Sequence, residues 1–302
     1  MMKKVMVVMG GMSSEREVSL VTGKGAAQAL KNSGYEVYEY DLKNGHKFSK
    51  ELIKIKPDVV FNALHGTFGE DGSIQGFLDI LQIPYTHSGV NASAIGMNKQ
   101  VTKEVAVSLG INVAESQKMT FKKFKEKGTR IELPYVIKPV SEGSSVGVFI
   151  IKTEKDLKHV NYADENQDIL IEKFIDGKEI TCAVINGKAH VVTELVASKE
   201  FYNYEAKYTD GLTEHILPAP LPDDVTNIVM SYSERIHNAL DCNTVSRSDL
   251  RYNETDGVVF LEINTNPGLT PLSLVPEQAA YIGMSYEELC KTLVENASCK
   301  KI

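Results

Sequence analysis

The chain has little of what several functional classes require. Its four cysteines, Cys182, Cys242, Cys290 and Cys299, lie far apart and form no Cys-x-x-Cys pair. That spacing argues against structural zinc and against a disulfide framework, and it points to reduced thiols in the cytoplasm. No stretch approaches the ~18 consecutive apolar residues of a membrane-spanning helix. Lys3 and Lys4 precede an apolar run, Val5 to Met9, that is shorter than a signal-peptide core and stops at Gly10-Gly11, so no targeting segment is expected. Positive charge is also scarce, with 33 Lys and Arg against 40 Asp and Glu, a net charge of −7. Protein affinity for nucleic acid rests on neutralised phosphates, so neither a nucleic acid nor a membrane is an expected partner. Internal repeats and low-complexity segments are absent. So are a G-x-x-x-x-G-K-[ST] phosphate loop and a G-x-G-x-x-G after a strand.

What is present is an ordinary globular composition, 42% hydrophobic and 24% charged in 302 residues. Length alone suggests about two domains. The pattern divides better into three. Residues 1–95 alternate strands with helices: a strand Val5–Met9, a helix opened by a Ser14-x-x-Glu17 capping box and running to Asn32, and strands at Tyr35–Tyr40, Asp58–Leu64 and Ile83–Thr86, with a helix Gly72–Leu81. Alternation of this kind predicts a parallel, Rossmann-like sheet with helices on both faces, and ligands at the strand C-terminal ends, where Gly10-Gly11 and Ala63-Leu64-His65-Gly66 sit. Gly23-Lys24-Gly25 reads as an irregularity inside the first helix.

Residues 96–180 open with a helix, Lys99–Leu109, and a lysine-rich stretch, Lys118–Gly128, read as a solvated face. A strand at Tyr135–Lys138, a small-residue turn from Glu142 to Gly147 and a strand to Ile151 form a hairpin, and Ile169–Phe174 is a further strand. Residues 181–302 carry a long polar loop, Ser198 to Pro222, of the length that functional lids have. A helix at Asp224–Leu240, strands Thr244–Tyr252 and Gly257–Asn264 joined at Asp256-Gly257, and a last helix Ser285–Asn296 complete this third unit.

Several groups carry chemistry. The turn Gly143-Ser144-Ser145-Val146-Gly147 offers successive N–H groups and two hydroxyls suited to phosphate oxygens, with Lys138 nearby. A plain glycine turn explains the same residues. They also match G-x-S-x-G with Ser145 as a hydrolase nucleophile, but that motif needs a helix to follow, and here Val148 to Ile151 continue as a strand. In the second hairpin, Arg247 and Asp249 lie two apart on one strand and Glu262 and Asn264 two apart on the other, so each pair shares a face. Leu261 and Ile263 are expected on the opposite, core-facing side. Oxygen donors so grouped suit Mg²⁺; an exposed polar face with a surface ion pair is the plainer alternative. Glu15, just after the first strand, complements a helix dipole or holds a substrate ammonium. His65 alone reads as a structural histidine.

Taken together these blocks resemble the D-alanine–D-alanine ligase family of ATP-grasp enzymes. The resemblance spans nearly the whole chain: Gly10-Gly11 with Ser14 to Ser19, Ala63 to Gly66 with Gly69 to Gly72, Val136 to Pro139, Glu142 to Gly147, Leu170 to Phe174, Tyr202 to Tyr208, and Glu262 to Gly268 with Ser273-Leu274. It implies an α/β fold: the Rossmann-like domain followed by two ATP-grasp domains of α+β character, with ATP between them. Lys99, Lys138 and Lys207 then correspond to ATP-phosphate lysines, and Ser144 and Ser145 to the small phosphate loop. Glu172, Lys173 and Glu179 correspond to positions around adenine and ribose, with Phe174 and Phe201 flanking the base. Asp249, Glu262 and Asn264 correspond to ligands of two Mg²⁺ ions, for which Mn²⁺ is an alternative. Arg247 and the Gly268 amide correspond to the oxyanion-stabilising groups. Glu15, Val18, His65, Ser273 and Leu274 match the amino-acid subsites, and Glu15, Ser144 and Tyr208 a triad that clamps the lid.

The implied activity is ATP-dependent joining of two D-alanines through an acyl phosphate, for peptidoglycan precursors, by a cytoplasmic homodimer. The alternatives are a D-alanine–D-lactate or D-serine ligase, the Ser145 hydrolase, and a nucleotide-binding regulator without catalysis. Three positions depart from the family pattern: Ser248, where an aliphatic residue is usual, Asp241 to Thr244, which lacks a glycine, and Asn266 in the Asn-Thr-x-Pro-Gly turn.

Overall fold

A computed structural model describes residues 2–143, 146–197 and 213–300. The first sheet is parallel, with β1 (Lys4–Gly10) between β2 (Glu36–Leu42) and β3 (Val59–Asn62). β1 is apolar throughout its middle because both faces are covered. Val5, Val7 and Met9 pack with α1 (Arg16–Asn32) and the C-terminal helix Tyr286–Glu295, whereas Met6 and Val8 pack with α2 (Gly45–Ile55) and α3 (Ser73–Ile80). A Cβ on Gly23 would stand 2.4 Å from the Met9 Cβ, so this glycine lets α1 lie against β1 and is not an irregularity.

Two local expectations fail here. α1 starts at Arg16 with Glu15 at its N-cap and no side-chain cap, so Ser14 opens no capping box. Ser13 is engaged instead, its Oγ donating to the His65 carbonyl and accepting the Glu15 N–H. The expected strand Ile83–Thr86 shrinks to isolated bridges at Tyr85, to Val60 on one side and Ser298 on the other. Pro84 has no N–H for a ladder, and Gln82 and His87 at positive φ turn the chain away on either side.

The second sheet is antiparallel in the order β4-β7-β5-β6, from β4 (Ser116–Thr120), β5 (Tyr135–Pro139), β6 (Phe149–Ile151) and β7 (Asp168–Lys173). The β5–β6 hairpin forms as expected, with Tyr135 opposite Ile151. The lysine-rich stretch is not a bare solvated face: it supplies β4 and then α6 (Phe121–Lys127), whose Phe121 and Phe124, three apart, are buried under the sheet.

The third sheet runs β11-β10-β8-β12-β13, from β8 (Lys178–Ile185), β10 (Thr193–Ala197), β11 (Thr213–Ile216), β12 (Val245–Asn253) and β13 (Gly257–Asn264), with β9 (Lys188–Ala189) beside β8. β11 occupies part of the expected loop, so residues 198–222 are not all connector. One face is covered by α4 (Val90–Met97), α5 (Lys99–Ser108) and α7 (Asp223–Ala239), whose apolar residues join Ile180, Phe260 and Ile263 in one core. Beyond β13, α8 (Leu274–Tyr281) precedes α9 (Tyr286–Glu295), which carries a true capping box, Ser285 with Glu288.

β12 and β13 pair with Arg247 opposite Asn264 and Asp249 opposite Glu262, as the two-residue period requires. The register then slips, because Leu250 faces Phe260 and Leu261 is an extra residue in β13. This bulge breaks the alternation. Phe260 and Ile263 both enter the core, and Leu261 and Glu262 both turn to the opposite side, so the expected core placement of Leu261 is wrong. The missing glycine before β12 has a visible consequence. Asp241 and Thr244 adopt positive φ of 56° and 62°, a conformation unfavourable above all for a β-branched residue.

Candidate active site

Two cavities lie against the third sheet and meet at three side chains, Lys99, Glu142 and Glu262, which line both. The outer cavity opens toward the first sheet. Gly10 and Gly11, both at positive φ, end β1 and turn the chain so that Glu15 stands at the N-terminus of α1. Its carboxylate is nearly enclosed, fitted so closely that a Cβ on Gly143 would lie 2.7 Å, and one on Gly66 3.0 Å, from Glu15 Oε1.

His65 lies beside it with both ring nitrogens engaged. Nε2 is 3.0 Å from Thr22 Oγ1 and Nδ1 is 3.1 Å from Glu70 Oε1. Across the cavity stand Arg247, Asn264, Gly268, Ser273 and Leu274. Ser273 is the N-cap position of α8, and its Oγ accepts the Thr270 N–H. Carboxylates on one side and Arg247 with Lys99 on the other suit a zwitterion: an ammonium toward Glu15 and Glu70, a carboxylate toward the cations.

The inner cavity lies between the second and third sheets. Val136, Val148, Phe174, Ile175 and Leu261 give it apolar walls fit for a flat aromatic base. Its polar end holds a buried chain of charges. Glu172 from β7 is gripped by Lys138 from β5 on one oxygen and by Lys103 from α5 on the other. Burial pushes the Glu172 carboxyl up, but Lys138 and Lys103 together hold it below the usual carboxylate range. Burial likewise pulls the Lys138 ammonium down, and Glu172 and Glu262 overcome it, leaving Lys138 firmly protonated. At the far end Arg251 Nη2 donates to Glu179 Oε2 at 2.8 Å, and its guanidinium stacks 5.7 Å from the Phe174 ring centroid.

Between the cavities, Lys99 Nζ donates to the Glu142 carbonyl at 2.5 Å and lies 3.3 Å from Glu262 Oε2. Asp249 accepts both arms of Arg247 and the Thr181 hydroxyl. The donor set at this junction is two carboxylates and the Asn264 amide. These are hard oxygens, and they fit a divalent cation that takes its remaining ligands from water and phosphate. Among the described residues no group of three or more His, Cys, Asp and Glu side chains forms a metal cluster.

Most of the expected site residues converge. Lys99, Lys138, Glu172, Lys173, Phe174, Glu179, Asp249 and Glu262 all line the inner cavity. Glu15, His65, Arg247, Glu262, Asn264, Gly268, Ser273 and Leu274 line the outer one. Val18 is buried on α1 and lines neither. Ser144, Ser145, Phe201, Lys207 and Tyr208 lie outside the described residues. Reading the sequence missed Glu70, Glu142, Lys103 and Arg251. Glu70 and Glu142 sit inside the quoted blocks, next to glycines, and Arg251 is one strand alternation beyond Asp249; Lys103 carries no such signal.

The departure at Asn266 also finds a reason. Its side-chain amide donates 2.8 Å to the Leu64 carbonyl, tying the turn after β13 to the loop that carries His65. The turn after Gly143 leads into β6, an antiparallel strand, so the strand–turn–helix elbow of a serine hydrolase is absent.

Two family models match, described as D-ala D-ala ligase N-terminus over residues 43–88 and D-ala D-ala ligase C-terminus over residues 103–295. A D-alanine–D-alanine ligase of Parvibaculum lavamentivorans is 47% identical over 99% of both chains. The crystal structure of the Bacillus anthracis D-alanine–D-alanine ligase complexed with ATP superposes with a TM-score of 0.81, at 31% identity over 98% of this chain and 97% of that one. The VanG D-Ala:D-Ser ligase of Enterococcus faecalis gives a TM-score of 0.80 at 26% identity, over 98% and 99%.

Proposed function

The chain belongs to the D-alanine–D-alanine ligase family, and from that premise we propose how its paired cavities perform the ATP-dependent joining of two D-alanines for peptidoglycan synthesis. The observation that carries the assignment of residues is the meeting, at Lys99, Glu142 and Glu262, of a cavity lined by opposed charges and one with apolar walls and a charged end. A phosphoryl group passed between them has to cross at that point.

The base of ATP lies between Phe174 and Leu261, with Glu172, Lys173 and Glu179 around adenine and ribose. Lys138 and Lys99 neutralise the phosphates, and Ser144, Ser145 and Lys207 join them on the family resemblance. The first D-alanine places its ammonium at Glu15 and Glu70. Its carboxylate oxygen attacks the γ-phosphorus, the bond from phosphorus to the bridging oxygen breaks, and ADP leaves. The amine of the second D-alanine, having lost a proton, then attacks the acyl carbon. Negative charge grows on the carbonyl oxygen, where Arg247 and the Gly268 amide stabilise it, before the carbon–oxygen bond breaks and phosphate departs. Asp249, Glu262 and Asn264 would hold Mg²⁺, or Mn²⁺, which supplies charge neutralisation at the phosphates. Most of the protein's contribution is alignment, charge and exclusion of water from the acyl phosphate.

This reading includes three units, residues 1–95, 96–180 and 181–302, a cytoplasmic homodimer, and the segment at Tyr208 as a lid. Phosphate release measured in parallel with D-alanine, with L-alanine, and with D-alanine plus D-lactate or D-serine as a competing acceptor tests it, with chromatography of the products. Turnover with D-alanine alone, giving the dipeptide and ADP, is expected. Depsipeptide or D-alanyl-D-serine as the main product would move the chain to the variant ligases, and ATP binding without turnover would make it a regulator.

A further inference from the structure

Among the described residues, four cations and five carboxylates line the inner cavity, so its wall is formally negative where a polyanion has to bind. Lys138 and Lys99 are the most buried cations in that wall, yet Glu172 holds Lys138 in an ion pair whose net charge is zero. Behind the wall, on α5, Lys103 takes the other oxygen of Glu172. Its ammonium is buried, does not line the cavity, and has the Ala114 carbonyl at 2.8 Å as a second acceptor.

We propose that Lys103 is a positioning residue for phosphate binding, acting as the counter-ion that satisfies Glu172 and leaves the positive charge of Lys138 for the nucleotide. The argument is electrostatic. Without Lys103 the Lys138–Glu172 pair is neutral, and the field it presents to a phosphate is that of a dipole. With Lys103 the three groups carry one net positive charge, in a site shielded from water where charge acts strongly. Glu172 is meanwhile fixed at both oxygens and held ionised. Burying three charges is tolerable because each has a partner on every side that matters, whereas removing one partner leaves an uncompensated group. Lys103 comes from a helix and Glu172 from a strand of a different sheet, so the contact also fixes α5 against β7.

This inference rests on the inner cavity being the nucleotide site, and the experiment separates the two. Kd values for ADP and for adenosine are measured at fixed magnesium for the wild type, K103M, E172Q and K103M/E172Q. The net charges of the buried group are then +1, 0, +2 and +1. The affinity ratio of ADP to adenosine isolates the phosphate contribution from that of the base.

The ratio is expected to fall about tenfold in K103M, to rise in E172Q, and to return to within about threefold of wild type in the double variant, even if base affinity changes throughout. Equal loss of ADP and adenosine in K103M would show a purely structural role and overturn the proposal. A double variant as impaired in its ratio as K103M would do the same. If K103M fails to fold, E172Q decides: removing the carboxylate that Lys103 and Lys138 share should raise the ratio, and an unchanged or lower ratio overturns the proposal. Wild-type protein that binds neither ligand would overturn the nucleotide assignment itself.

Discussion

The guanidinium of Arg247 grips the carboxylate of Asp249, two residues along the same strand, with Nε 2.9 Å from Oδ1 and Nη2 2.8 Å from Oδ2. One ion pair thereby joins two cavities. Asp249 lines the inner cavity and Arg247 the outer one, and their ion pair bridges the two.

Arg247→Ala is expected to lower kcat by about 10²–10³-fold, the scale of removing one group that stabilises a developing oxyanion. ADP affinity should stay within a few-fold, because Arg247 does not line the inner cavity. Steady-state kinetics with D-alanine alongside calorimetry with ADP read both. Loss of nucleotide binding in step with kcat would assign Arg247 a role in folding the sheet instead.

Gly143 has room for no side chain, since a Cβ would meet Glu15 Oε1 at 2.7 Å. Gly143→Ala should therefore displace Glu15 within the outer cavity. KM for D-alanine is expected to rise at least tenfold, with KM for ATP changed less than threefold and Tm nearly unchanged. An unaffected KM for D-alanine would remove Glu15 from the substrate site.

Ser248 lies fully buried on β12, and its hydroxyl has no hydrogen-bond partner among the described residues. A buried hydroxyl without a partner costs about 1–3 kcal/mol. Ser248→Ala removes the group without adding volume and should raise stability by about 1 kcal/mol in chemical denaturation. A destabilised variant would show that the hydroxyl is satisfied after all.

His87 is buried at φ +67°, with burial and the nearby His65 pushing its pKa down to about 3. Burial also lowers His237, to about 4. The unfolded chain takes up these protons near pH 6.5 and the folded chain does not, so stability falls as pH drops below 6.5. The slope is about 1.4 kcal/mol per pH unit for each histidine until its folded pKa is reached. His87→Asn, which tolerates positive φ, should roughly halve the loss of stability between pH 6.5 and 5. Urea midpoints at the two pH values measure it; an undiminished loss would mean that His87 is already protonated in the fold.

Much of the frame was legible because it depends on short periods. The apolar run of β1, the helix at Lys99 and the hairpin around Asp256-Gly257 follow from local pattern and turn chemistry. The facing of Arg247 with Asp249 and of Glu262 with Asn264 needs only the two-residue period of a strand. Alternation failed at Leu261, where one extra residue turns two neighbours to the same side. It failed again at Phe121 and Phe124, whose helical spacing was hidden among lysines. Ser14 failed as a cap because the helix starts at Arg16, which puts Glu15 at the N-cap position and Ser14 outside it.

Sequence by itself determined most of the strands and turns, and the residue types that can hold a zwitterion, a phosphate or a hard cation, since these follow from local geometry and chemistry. Tertiary structure alone decided which of them share a cavity. Lys103 from α5 meets Glu172 from β7 across 69 residues, and Asn266 reaches Leu64 across 202. No local period encodes such contacts. They exist because separate sheets and helices pack to bury their apolar faces, and the charged groups at the seams find their partners only then.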